Sequence, residues 1–207
     1  MKLQLALDRL TKEECIQLIQ ETYDYIDWIE IGTSVIKEYG MQIIREIREM
    51  FPEKTIVADM KTCDAGGFEA AQAFKAGADI TTVMAFSSDL TILDTLKVGR
   101  EYNKRIMVDL LEVSTRKRMK ELEDLKVDLV SLHVGKDKQQ TGTFNTELFS
   151  LVDSFDFEVS VAGGINLDSL PEVVQEKPDI IIVGSAITSD LDPKEAARKM
   201  KEIIENR

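Results

Sequence analysis

The chain has 207 residues, with 26 basic and 38 acidic side chains, one His and two Cys, giving a net charge of −12. A length near 200 suits one domain with a substantial core, and an apolar content of 43% is that of a globular protein. The acidic balance argues against nucleic acid or an anionic membrane as partner, since both need clustered Lys and Arg, so an anionic substrate has to be held by backbone amides or a metal.

Cys15 and Cys63 are too few for a disulfide framework, and a single His cannot build a His-rich zinc site. The first apolar stretch, residues 3–7, is short and is closed by Asp8, unlike the core of a signal segment. No run approaches the roughly 18 apolar residues of a membrane span. The expectation is a soluble cytoplasmic protein with one domain over residues 1–207.

Taken in order, apolar runs rich in Val, Ile, Leu and Thr predict strands at 3–8, 26–31, 55–60, 79–84, 105–110, 128–133, 158–162 and 179–183. The first of these alternates, with Leu3, Leu5 and Leu7 on one face and Gln4, Ala6 and Asp8 on the other. A helix is predicted over 11–23, opened by a capping box of Thr11 and Glu14. Another is predicted over 35–50, with Ile36, Ile43, Ile44 and Ile47 on its apolar side. The last begins after Asp192 and Pro193, an N-cap followed by proline at the first helical position.

Eight strand–helix pairs fit an open doubly wound sheet or a closed eightfold barrel. Asp27, Asp79, Asp128 and Asp179 each precede every second strand, about fifty residues apart. That fourfold repeat suits a (β/α)8 TIM barrel, in which alternate strands fill alternate interior layers. These four acids then lie at the N-terminal face as turn residues.

Catalytic groups in such barrels come from the C-terminal strand ends. Those positions here are Asp8, Glu30, Asp59 with Lys61, Met84, Asp109, His133, Gly163-Gly164 and Gly184-Ser185. Glu30, between Ile29 and Ile31, is a carboxylate that needs a metal or cation if buried. With Asp59 it offers oxygen ligands to one hard cation such as Mg2+. Asp59 and Lys61, two apart on a strand, share a face, and Asp64 adds a second acid; carboxylates beside Lys61 keep it a cation rather than a Schiff-base amine. Asp8 is placed to orient a water or the lysine, and His133 is assigned to proton transfer. The glycine turns at 163–164 and 184–185 follow strands seven and eight, the usual phosphate position, and let amides approach an anion.

The motif Asp59-x-Lys61-x-x-Asp64 resembles that of the orotidine monophosphate decarboxylase superfamily. Within it the chain is similar along its whole length to the 3-hexulose-6-phosphate synthase family. The stretches 3–8, 29–33, 58–67 (Ala-Asp-Met-Lys-Thr-Cys-Asp-Ala-Gly-Gly), 77–83, 161–165 and 182–188 carry the resemblance. Glu30 stands where the metal-independent nucleotide decarboxylases are expected to have lysine. The related 3-keto-L-gulonate-6-phosphate decarboxylases share Asp8, Glu30, Asp59, Lys61, Asp64 and His133 but usually carry Arg in place of Lys136 and of Ser185, which favours the synthase. Val134, Cys63 and the Met84-Ala85-Phe86 run depart from the common pattern.

The resemblance implies a homodimer with shared active sites, Asp64 reaching into the partner's site. It implies Mg2+ on Glu30 and Asp59, and a reversible aldol condensation of ribulose 5-phosphate with formaldehyde through an enediolate. The alternatives are the keto-gulonate phosphate decarboxylation, an isomerase or epimerase barrel, for which one His is too few, and a non-catalytic sugar-phosphate-binding barrel.

Overall fold

The computed structural model describes residues 1–141 and 144–206. Eight parallel strands close on themselves in sequence order, and the fold is a (β/α)8 TIM barrel. The strands are β1 (Lys2–Leu7), β2 (Trp28–Ile31), β3 (Thr55–Thr62), β4 (Ile80–Met84), β5 (Arg105–Asp109), β6 (Leu129–His133), β7 (Glu158–Ala162) and β8 (Ile180–Val183). The helices are α1 (Lys12–Thr22), α2 (Thr33–Tyr39), α3 (Met41–Met50), α4 (Gly66–Ala76), α5 (Asp89–Glu101), α6 (Arg116–Asp124), α7 (Leu170–Gln175), α8 (Ser185–Thr188) and α9 (Pro193–Glu205).

Strand parity builds two apolar layers. Leu3, Leu5 and Leu7 are wholly buried between barrel and helices, with Ile19, Ile43 and Ile44. The opposite face turns inward, where Ala6 packs with Trp28, Val57, Ile80, Met107 and Ile182. That inner plug closes the lower barrel, so side chains at the upper strand ends face an open bowl.

The repeated aspartates behave as turn residues at the N-terminal face. Asp27, Asp79 and Asp179 accept the backbone N–H groups of Leu3 (2.7 Å), Ile56 (2.9 Å) and Val159 (2.8 Å), each at the start of the preceding strand. Those donors have no ladder partner there, and a carboxylate supplies one. Asp128 pairs instead with Arg105, at 2.8 Å, across the same rim. The predicted caps also form: Thr11 and Glu14 exchange hydrogen bonds, and Asp192 accepts from the Glu195 N–H at 2.9 Å.

Two predicted elements differ. The single helix expected over 35–50 is two, because Gly40 adopts φ 64° and ψ −163°, ending α2 and redirecting the chain into α3. The crossover from β6 to β7 carries short 3-10 segments, Lys138–Thr141 and Thr146–Leu151, where an α-helix was expected. Its sequence is polar from Lys136 to Thr143 and lacks an apolar stripe of helical period. The 136–142 loop, whose role the sequence leaves open, ends at a residue outside those described.

Candidate active site

The C-terminal strand ends surround a cavity of about 1210 Å3. Every sequence-predicted site residue lines it except Asp64. The arrangement centres on Lys61, whose placement differs in detail from simple strand alternation. β3 loses register with β4 between Ala58 and Thr62, and Lys61 takes a left-handed φ of 46°. A bulge of this kind re-aims a side chain, and left-handed backbone in a non-glycine residue is held only by surrounding contacts. Here the Lys61 N–H donates to Thr82 Oγ1 at 2.8 Å, and Thr82 Oγ1 donates to Asp59 Oδ1 at 2.8 Å.

Lys61 Nζ lies 3.3 Å from Asp59 Oδ2 and 2.5 Å from Asp109 Oδ2. The second acid of the lysine is therefore Asp109, where the sequence suggested Asp64. Burial disfavours the ammonium, but Asp59 and Asp109 outweigh it and hold the Lys61 pKa above its ordinary value. The lysine is a fixed cation, as its sequence context indicates.

Asp109 joins Lys61 to His133. His133 Nδ1 sits 3.0 Å from Asp109 Oδ2 and 3.2 Å from Oδ1, and the Leu111 N–H donates to Oδ1 at 2.9 Å. Burial opposes ionisation of Asp109, yet His133 and Lys61 prevail and bring its pKa down to about 2. For His133 burial favours the neutral ring, but the hydrogen bond and charge of Asp109 raise its pKa above 6.5. An ionised acceptor at Nδ1 places the ring proton there and leaves Nε2 as the proton acceptor. Asp109 stood among the strand-end positions without a role. Only barrel closure shows that it bridges the lysine and the histidine.

The two remaining carboxylates meet beside this chain of charges. Asp59 is buried, accepts from Thr33 Oγ1 at 2.9 Å and from Thr82, and is ion-paired with Lys61. Glu30 Oε2 accepts from Gln4 Nε2 at 2.6 Å. Burial, then the nearby charge of Asp59, pushes the Glu30 pKa up to about 7, against Gln4, Lys61 and His133, which lower it. Among the described residues no third His, Cys, Asp or Glu joins them in a metal-binding cluster. Two carboxylates are a donor set of the kind Mg2+ takes, since that ion binds through one or two carboxylates and completes its shell with water and substrate oxygens.

Asp8 stands at the rim with its side chain about half exposed. It accepts from Ser34 Oγ and lies 3.8 Å from Arg9, and it makes no contact with Lys61. Across the bowl, Gly163 and Gly164 have φ values of 108° and 74°. A Cβ at Gly163 would lie 2.2 Å from the Val134 carbonyl oxygen, so only glycine brings that backbone so close. Gly184 precedes the single turn of α8, which Ser185 begins. Both turns line the cavity opposite the acid–lysine group.

Asp64 is exposed on the turn between β3 and α4, between exposed Cys63 and Ala65, the latter at φ 52°. Beyond it α4 and α5 pack together, and Phe68 on α4, Phe86 in the turn before α5 and Leu90 on α5 are exposed by 69%, 58% and 74%. No helix among the described residues is long and apolar enough to cross a membrane.

Comparison with known proteins agrees with this architecture. The family profile described as Orotidine 5'-phosphate decarboxylase / HUMPS family matches residues 1–200. A 3-hexulose-6-phosphate synthase of Bacillus subtilis (strain 168) is 42% identical over 207 residues, covering 99% of each chain. The crystal structure of 3-hexulose-6-phosphate synthase from Salmonella typhimurium superposes with a TM-score of 0.96 at 35% identity, over 99% of this chain and 98% of that one. The crystal structure of 3-keto-L-gulonate-6-phosphate decarboxylase from Vibrio cholerae has a TM-score of 0.89 at 27% identity, over 99% and 97%.

Proposed function

The chain belongs to the Orotidine 5'-phosphate decarboxylase / HUMPS family, and we propose that it catalyses the reversible, Mg2+-dependent aldol condensation of D-ribulose 5-phosphate with formaldehyde. The product is D-arabino-hex-3-ulose 6-phosphate, reached through an enediolate. The observation that carries this reading is the Lys61–Asp109–His133 chain beside the Glu30–Asp59 pair, facing two glycine turns across one cavity.

Glu30 and Asp59 would hold the cation, which would supply positive charge to stabilise the enediolate. His133 Nε2 takes a proton from C1 of the ketose. Asp109 keeps that proton acceptor oriented, because the ring N–H is committed to its carboxylate. Lys61 donates to the oxygen on which charge develops, and its neighbours keep it charged. The C1 carbon then bonds to the formaldehyde carbon as its C=O π bond breaks, and the new alkoxide takes back the proton held on His133 Nε2. Backbone amides at Gly163-Gly164 and Gly184-Ser185 take the phosphate, which lets a chain of net charge −12 bind an anion. Asp8 at the rim orders water over the sugar.

The assembly is a homodimer, with Phe68, Phe86 and Leu90 covered by the second copy and Asp64 entering the other subunit's cavity. The enzyme works in the cytoplasm. A second reading shares the same acids, lysine and enediolate: decarboxylation of 3-keto-L-gulonate 6-phosphate, favoured by the likeness to the Vibrio cholerae decarboxylase. Ser185 in the phosphate turn and Lys136 at the rim favour the synthase. One paired assay separates them, with and without Mg2+. Metal-dependent loss of formaldehyde in the presence of ribulose 5-phosphate supports the synthase, and faster release of carbon dioxide from the keto-gulonate phosphate overturns it. Inactivity on both substrates overturns both readings.

A further inference from the structure

Beneath the cavity the barrel interior carries a polar side chain that the reaction above does not use. Gln4 is wholly buried on the inner face of β1, in a layer otherwise built from Trp28, Val57, Ile180 and Ile182. Its Nε2 makes one hydrogen bond, to Glu30 Oε2 at 2.6 Å. Its Oε1 is equally buried and has no hydrogen-bond partner among the described residues. A buried amide oxygen without a donor gives up its hydrogen bonds to water and receives nothing in exchange. Packing alone would therefore be better served by Met or Leu at this position. The amide's one gain in the structure is its bond to Glu30.

The register explains how the bond reaches. Ala6 lies opposite Glu30 and Gln4 lies opposite Trp28, so Gln4 is one layer deeper on the same face. The small Ala6 side chain leaves the diagonal path between Gln4 and Glu30 open. The two carboxylates are also held unequally. Asp59 is gripped through both oxygens by Thr33, Thr82 and Lys61. Glu30 has three rotatable side-chain bonds and, among the described residues, only Gln4 donates to it.

We propose that Gln4 is a positioning residue for the cation site: it holds Glu30 Oε2 from below and so presents Oε1, beside Asp59, to a divalent metal. The inference rests on the Mg2+ reading above. Partners that orient a metal ligand in this way typically contribute 10- to 100-fold to metal affinity.

The test is Mn2+ binding followed by electron paramagnetic resonance, for the wild-type chain and for Gln4→Met and Gln4→Leu. Thermal unfolding of the metal-free proteins is measured alongside. Mn2+ affinity is expected to fall at least about 10-fold in Gln4→Met, while the metal-free Tm changes little, because losing the unpartnered amide oxygen offsets the loss of the donor to Glu30. The Mn2+ concentration for half-maximal turnover should rise by the same factor, with kcat at saturating metal reduced less. A role in packing alone would lower the Tm and leave metal affinity unchanged. Folded variants that bind Mn2+ within twofold of wild type would overturn the proposal, and so would failure of both variants to fold. If the wild-type chain itself bound no Mn2+, the Mg2+ reading would fail, and this inference with it.

Discussion

Asp109→Asn replaces one heavy atom, an oxygen by an NH2 nitrogen, and tests the central arrangement. The carboxylate is 3% exposed, and its oxygens divide the work: Oδ1 accepts from Leu111 N–H, Oδ2 accepts from Lys61, and His133 Nδ1 lies against both. An amide has one oxygen. Turned toward Lys61 it sets its NH2 against the Leu111 N–H, and turned the other way it sets its NH2 against the ammonium. Either rotamer leaves a buried donor without an acceptor. The lowering of the Asp109 pKa from 3.8 to about 2 corresponds to about 2 kcal/mol of folded-state stability at neutral pH. For a chain of this size that is a Tm lower by roughly 4–8 °C.

The functional effect is larger. An asparagine NH2 facing Nδ1 moves the ring proton to Nε2 and removes the proton acceptor. Turnover should fall by about 10³-fold or more, the scale seen when a catalytic His loses its orienting carboxylate. His133 is the sole histidine, so its imidazole C–H resonance titrates without overlap in a proton NMR spectrum. In the wild-type chain it should titrate above 6.5, and in Asp109→Asn it should drop. A base must be neutral, so the acid limb of kcat/KM follows the same raised value, with rate increasing as pH rises through it. Stability runs the opposite way for this group. The contribution of the raised His133 pKa is complete below about 6.5 and is lost as pH rises through the folded-state value, whereas that of Asp109 is lost as pH falls toward 2. A variant that keeps the wild-type His133 titration, or turnover within tenfold, would refute this account of Asp109.

Three further outcomes follow from the geometry. Glu30→Gln and Asp59→Asn should each lower turnover by about 10³-fold or more and weaken the response to added Mg2+, measured by initial rates across a metal titration; near-wild-type rates in either would remove the metal assignment. Gly163→Ala should raise KM for ribulose 5-phosphate by about tenfold or more, because its Cβ meets the Val134 carbonyl at 2.2 Å and φ is 108°; an unchanged KM would detach this turn from the phosphate. Asp64→Ala and Lys61→Ala should each be inactive alone but, unfolded and refolded together, recover roughly a quarter of wild-type activity, since half the dimers then carry one intact site of two. No recovery from properly assembled mixed dimers would place Asp64 in its own subunit's chemistry.

The sequence by itself determined the barrel and the ring of groups at its mouth. Period-two strands, capped helices and the fourfold aspartate repeat are local signals, and each is read within one element. Gly40 was legible as a residue but not as a break, because glycine tolerates a helix until tertiary packing asks for a turn. Lys61 was rightly paired with Asp59, yet its second acid was misplaced. Asp64 is three positions away, while Asp109 is forty-eight positions on and meets Lys61 only because β3, β4 and β5 lie side by side in the closed sheet. Gln4 and Glu30 are likewise brought together by the register of β1 and β2. Periodicity gives the face on which a side chain lies; which side chain it meets across a barrel depends on stagger, bulge and closure, and those are fixed only when all eight strands pair.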